Sequence, residues 1–186
     1  SLSLAHPPGH PLTLLSAHVI QLIPWFDASI RANLASACWN SIGALMLYQS
    51  SWTLLHRENT LERRALSLLT AGLYVALPLV WLQGVRAEVY APQATLTTGL
   101  WMGFILQEHT RDQRWWLFSA LSLGLLGANH TLLAVAITPC VVGWLLWKRV
   151  SLIVWTWGGG LLCCGLSLYL YLPLRGRAGG VLGWGW

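Results

Sequence analysis

From Trp116 to Trp147 the chain carries no Asp, Glu, Lys or Arg. A run that long has few places to hide in a water-soluble domain, whereas a bilayer-crossing helix needs ~20 apolar residues. Similar runs recur at Leu34–Leu55, Ala65–Val85, about Val89–Gln107 and Val150–Pro173. The long run is interrupted at Asn129-His130, which splits it into two helices of ~24 Å at 1.5 Å per residue. Each is short for a bilayer, so the Asn-His turn is expected slightly inside the membrane surface. The pattern predicts an all-α, multi-pass transmembrane helical bundle with about six spans.

Composition agrees. Only 9% of the residues are charged and 55% are hydrophobic, against about 25% charged in soluble domains. The 13 tryptophans suit the membrane–water interface. The net charge of +5 is scattered between apolar runs and forms no patch, so topology explains it better than nucleic acid. Cys38, Cys140, Cys163 and Cys164 all lie within apolar runs and lack the spacing of a zinc or iron–sulfur site. No metal site is expected.

The whole of 1–186 reads as one transmembrane domain. Residues 1–33 form an extracytoplasmic loop and interfacial helix, 34–173 the six spans, and 174–186 the start of an extracytoplasmic segment. Ser1 in place of methionine and the ending Gly183-Trp184-Gly185-Trp186 suggest a fragment of a longer protein. The turn His6-Pro7-Pro8-Gly9-His10-Pro11 cannot be helix interior, although Pro11 can open a helix at its first position. The stretch Leu12–Trp25 is too short to span and reads as an interfacial helix ending at Pro24.

The short loops set orientation. One face holds Arg57, Arg63, Arg64, Arg111, Arg114, Lys148 and Arg149, and the other holds Arg31, Arg86, Arg175 and Arg177. The first is therefore cytoplasmic. The unusual polar residues then gather at the extracytoplasmic ends of spans: His6, His10, Arg31, Asn33, Arg86, Glu88, Asn129, His130 and Arg175.

Among these, Arg86 and Glu88 stand out in Trp81-Leu82-Gln83-Gly84-Val85-Arg86-Ala87-Glu88-Val89-Tyr90. A charge at the membrane centre costs at least ~2.5–3.5 kcal/mol, so such residues belong at a water boundary or a working site. At positions i and i+2 they do not face each other on a helix. Arg86 could hold a phosphate through its fork and Glu88 could orient or deprotonate a hydroxyl. A plain surface loop would also contain them. His130 could bind phosphate or sugar or shuttle a proton, yet Asn129-His130-Thr131 reads equally as a helix-hairpin turn. Arg31 and Arg175 could hold substrate or only anchor span ends. Gly158-Gly159-Gly160 reads as a small-residue surface for close helix packing.

In order, His6-Pro7-Pro8-Gly9-His10-Pro11-Leu12, Arg31-Ala32-Asn33-Leu34-Ala35-Ser36-Ala37, the Trp81–Tyr90 segment, Asn129-His130-Thr131 and Tyr171-Leu172-Pro173-Leu174-Arg175 resemble a widespread membrane family long catalogued as a domain of unknown function. It includes the endoplasmic-reticulum O-mannosyltransferase of plexin-type immunoglobulin-like domains. The resemblance covers nearly the whole chain. It implies a GT-C-type glycosyltransferase fold with an extracytoplasmic active site and a polyprenyl-phosphate sugar as donor. It names no certain cofactor, with use of a divalent metal left open, and it suggests a secreted or membrane protein as acceptor. His6, Arg31, Arg86, Asn129, His130 and Arg175 are the expected substrate-binding residues and Glu88 the available catalytic carboxylate. The family's acidic pair of the Asp-Ser-Gly-Glu type precedes the His-Pro turn, which would put the main catalytic acid upstream of Ser1. His10 stands where the family usually has tyrosine, and Gly183–Trp186 either lacks the aspartate of the family's later Trp-Gly-Asp or stops just before it. A bacterial inner membrane is the expected location in preference to the endoplasmic reticulum. A transporter or flippase of a lipid-linked or polar substrate is the alternative.

Overall fold

The computed structural model describes residues 10–56 and 58–177. Among these residues the chain is all-helical. Pro11 occupies the first turn of α1 (Pro11–Gln21), as its fixed φ favours. Helix α2 (Ala28–Leu54) begins six residues before the expected span, so Arg31 lies inside a helix and not in a loop. After it come α3 (Thr60–Ala76) and α4 (Pro78–Gly84). The Asn59 side chain caps α3 by accepting from the Leu61 and Glu62 amides, which satisfies two otherwise unpaired donors.

The expected second span, Ala65–Val85, is broken. Helices α3 and α4 meet at a 70° bend. Pro78 has no amide hydrogen to continue the ladder, and Leu77 before it takes an extended ψ of 127°, as a residue preceding proline prefers.

The next helices are α5 (Tyr90–Thr110), α6 (Arg114–Asn129) and α7 (Thr131–Trp147). The break between α6 and α7 falls at His130, whose φ of −146° and ψ of 84° leave the helical region. Pro139 lies inside α7 without ending it. Finally α8 (Leu152–Leu166) passes through a short 3₁₀ turn (Ser167–Leu170) into α9 (Tyr171–Arg177).

Packing orders these helices. α6 packs chiefly against α8 and α5, and α5 against α2. Thr95 on α5 donates from Oγ1 to the Trp39 carbonyl on α2 at 2.5 Å, and the ring of His56, just past α2, lies 4.9 Å from that of His109 in the last turn of α5. α2 and α5 therefore run parallel. Ser119 on α6 donates to the Leu100 carbonyl on α5 at 3.0 Å, in an antiparallel pairing. The starts of α2, α5 and α7 thus share one end of the bundle with the finish of α6 and α8. Helix α1 crosses that end.

Of the triple glycine only Gly158 faces α6, where an added Cβ would lie 3.5 Å from the Ala120 Cβ. A Cβ on Gly165 would lie 2.6 Å from the Gly124 carbonyl carbon and the Leu125 nitrogen, whereas a Cβ on Gly159 or Gly160 would meet nothing within 4 Å. Gly124 and Gly165 are the glycines that bring the two backbones together.

The interior is mixed. Leu100 and Leu126 are fully buried, but so are Asn129, Thr95 and Ser67, while Leu132, Leu152, Leu79 and Trp147 are at least 70% exposed. Among the described residues one continuous helical run, Leu152–Leu174, is long and apolar enough to cross a membrane, with mean hydropathy 1.5 over its best window. The bent α3–α4 pair would make a second. At ~1.5 Å per residue, α2 and α5 have the length to span, but buried Ser36, Asn40, Ser50, Thr53 and Thr95 lower their hydropathy. The six uniformly apolar spans expected from the sequence are not seen as such.

Candidate functional site

Asn129 organises the end of the bundle that α1 crosses. Its side chain is fully buried. Oδ1 accepts from Thr13 Oγ1 at 2.5 Å, and Nδ2 donates to the Val89 carbonyl at 2.8 Å. Its backbone carbonyl accepts from His10 Nδ1 at 2.5 Å. One amide thus ties α1, the start of α5 and the α6–α7 break. Leaving either amide partner unpaired inside this end would cost ~1–3 kcal/mol.

Val89 closes the Arg86–Glu88 loop, so the Asn129 contact fixes that loop's second foot. The Glu88 amide donates to the Arg86 carbonyl at 2.9 Å, a tight turn that stands both side chains out. Arg86 and Glu88 are exposed, and no ion pair joins them among the described residues. Beside the loop, the rings of Tyr90 and His130 lie 6.4 Å apart. His130 Nδ1 accepts from the Leu133 amide at 3.4 Å, capping α7. That bond leaves the Nε2–H as the ring's donor, free to serve a phosphate or sugar oxygen.

Arg31 stands elsewhere. Its Nη1 donates to the carbonyls of Gln21 at 3.2 Å and Ile23 at 2.6 Å, clamping the last turn of α1, where carbonyls lack helical partners. Gln21 answers by donating from Nε2 to the Ala28 carbonyl at 2.7 Å. Because α1 begins at Asn129 and ends at Arg31, roughly 15 Å of helix separates the two. Arg175 lies on α9 at the same end of the bundle. His6 lies outside the described residues.

The residues that hold Asn129 were not all foreseeable. His10 belonged to a recognised proline turn, and it takes a left-handed φ of 40°, uncommon for a residue other than glycine. Thr13 gave no signal, being one hydroxyl in an apolar helix. Tyr169 turns its hydroxyl inward to Thr131 Oγ1 at 2.6 Å and the Gly127 carbonyl at 3.3 Å, pinning the break from its other side.

Residues 1–154 match the family described as Protein O-mannosyl-transferase TMEM260 N-terminal domain. The chain belongs to this family. The match takes in His10, Arg31, Arg86, Glu88, Asn129 and His130 and ends in the first turn of α8, before Arg175. A curated relative, Protein O-mannosyl-transferase TMEM260 of Mus musculus, is 29% identical over 185 residues, covering 93% of this chain. The chain spans about a quarter of that relative's length. No solved structure matches. With a mouse protein as the named relative, the expected preference for a bacterial inner membrane finds no support.

Proposed function

We propose that this chain is part of the membrane-embedded region of a protein O-mannosyltransferase and carries the polar end at which a lipid-linked sugar is used. The supporting observation is the Asn129 amide, which binds the Arg86–Glu88 loop and the His130 break into one unit. Membership of the O-mannosyl-transferase family supplies the reaction class. The exchange of exposed leucine and tryptophan for buried serine, threonine and asparagine supports a lipid surround, where polar side chains bind helices together.

In this reading the donor is a polyprenyl-phosphate sugar. Arg86, with Arg175, pairs with the phosphate, and His130 Nε2–H donates to an oxygen of the same group. An acceptor hydroxyl attacks the anomeric carbon, and the bond from that carbon to the phosphate oxygen breaks. The bonding pair leaves with the polyprenyl phosphate. The hydroxyl proton passes to a carboxylate, for which Glu88, two residues from Arg86, is the candidate; Asp27 is the other exposed carboxylate on this end, at the start of α2. Arg31 and Asn129 are positioning residues. The bent α3–α4 pair is a feature a carrier would share, but the Asp, Glu, Lys and Arg residues among the described residues lie at helix ends and loops and not at mid-depth.

Deleting the gene tests the reaction class. Accumulation of a polyprenyl-phosphate-linked sugar supports the transferase. Unchanged lipid-linked sugar with loss of a transported solute contradicts it.

A further inference from the structure

At the opposite end, α7 and α8 both rest on α6 but barely touch each other. Between them lies a cavity of about 120 Å³, walled by Phe104, Trp116, Val141, Leu145, Val154 and Trp155. The cleft is open on one side and its lining is almost wholly apolar, which suits hydrocarbon.

Its rim is basic. Helix α7 ends in a turn in which the Arg149 amide donates to the Leu146 carbonyl at 3.0 Å and the Val150 amide to the Leu145 carbonyl at 3.2 Å, a common helix stop. Leu145 and Val150 both line the cavity, so Arg149 sits at its mouth. The turn holds Arg149 at φ 50°, a position where glycine is the default. Arg111 at the end of α5 is held likewise, at φ 59°. Glu108 draws these ends together, pairing with Lys148 at 2.8 Å and Arg111 at 3.8 Å. Counting Asp112 and Arg114 in the adjoining turn, four cations face two carboxylates.

We infer that the α7–α8 cleft binds one acyl chain of an anionic membrane phospholipid, whose phosphate is held by Arg149. Charge complementarity selects this occupant. An apolar protein segment needs no cation at the rim, and a zwitterionic lipid gains little from a net positive one, whereas basic residues beside a span attract anionic headgroups. The inference rests on the membrane placement proposed above but not on the transferase reading. The cleft lies at the other end from Asn129.

The test uses the full-length protein in phosphatidylcholine nanodiscs. These are doped with either phosphatidylglycerol or phosphatidylcholine carrying the same photoreactive diazirine acyl chain. Labelled residues are read by peptide mass spectrometry. The glycerol lipid is expected to label Val142 and Trp155 at least threefold more than the choline lipid. Arg149→Gly relieves the backbone while removing the cation, and should lower the glycerol lipid's labelling to the choline level. Gly159→Leu, at a lining position where an added Cβ meets no atom within 4 Å, should fill the cleft and abolish labelling by both. Equal labelling by the two lipids overturns the proposal. So does labelling of the exposed α7 residues Leu132 and Val135 with none in the cleft, as expected if protein fills it. Absence of label on every helix overturns the membrane placement as well.

Discussion

The two ends of this bundle are organised by different chemistry. At the α1-crossed end a neutral, fully buried amide does the holding: Asn129 reaches Thr13 and Val89, and its carbonyl takes His10. The charges there, Arg86 and Glu88, stand exposed on a loop whose foot that amide fixes. At the opposite end charges do the holding themselves. Glu108 pairs with Lys148, while Arg63 lies over the Trp52 ring at 4.1 Å and donates to the Trp52 carbonyl. Charges committed to neighbours serve structure. Charges left standing on a scaffold of satisfied neutral groups are available to a ligand. Arg31 illustrates the first use even on the functional end, because its Nη1 is held by the Gln21 and Ile23 carbonyls.

That contrast can be broken by substitution. The largest effect is expected from Gly165→Leu. The added side chain runs into the α6 backbone near the Asn129 end, and overpacking of this kind costs ~1–3 kcal/mol or more. Folded yield in detergent should collapse, whereas Gly159→Leu at the open end should keep it. Asn129→Ala strands the Val89 carbonyl and the Thr13 hydroxyl, so the melting temperature of the full-length protein should fall with a loss of ~1–3 kcal/mol. Transfer should drop further, by roughly 100-fold, as misplacing a reacting loop by about 1 Å can do. Thr13→Val removes one hydrogen bond and should cost about 1 kcal/mol. Glu108→Gln should matter least, by less than about 1 kcal/mol, because its partners are partly solvated. A larger loss from Glu108→Gln than from Asn129→Ala would reverse the comparison.

Much of this was legible in residue order. The apolar runs marked the helices, Pro11 marked the start of α1, and the Asn129-His130 interruption marked the α6–α7 break. Alternation of helices gave which loops share an end, with Arg63, Arg64, Arg111, Arg114, Lys148 and Arg149 at one and Arg31 and Arg86 at the other. Three features were not legible. The 70° bend at Leu77-Pro78 hid within an apolar run, because hydropathy does not register a missing amide hydrogen. The α6–α8 approach fell to Gly124 and Gly165, which single-sequence reading cannot separate from Gly158–Gly160 without knowing which face turns inward. Asn129 read as a substrate contact because a polar residue in an apolar run is costly wherever it lies. Only its partners, on helices distant in sequence, show that its amide is already engaged.

The central claim is that the exposed Arg86 on the Asn129 scaffold serves the substrate while the exposed cations at the opposite end do not. The direct measurement is transfer of labelled sugar to a protein acceptor by the full-length enzyme, comparing Arg86→Ala with Arg64→Ala at matched expression. Loss of at least 100-fold for Arg86→Ala, with Arg64→Ala within twofold of the parent, is the predicted result. Full activity in Arg86→Ala, or equal losses in both variants, would contradict it.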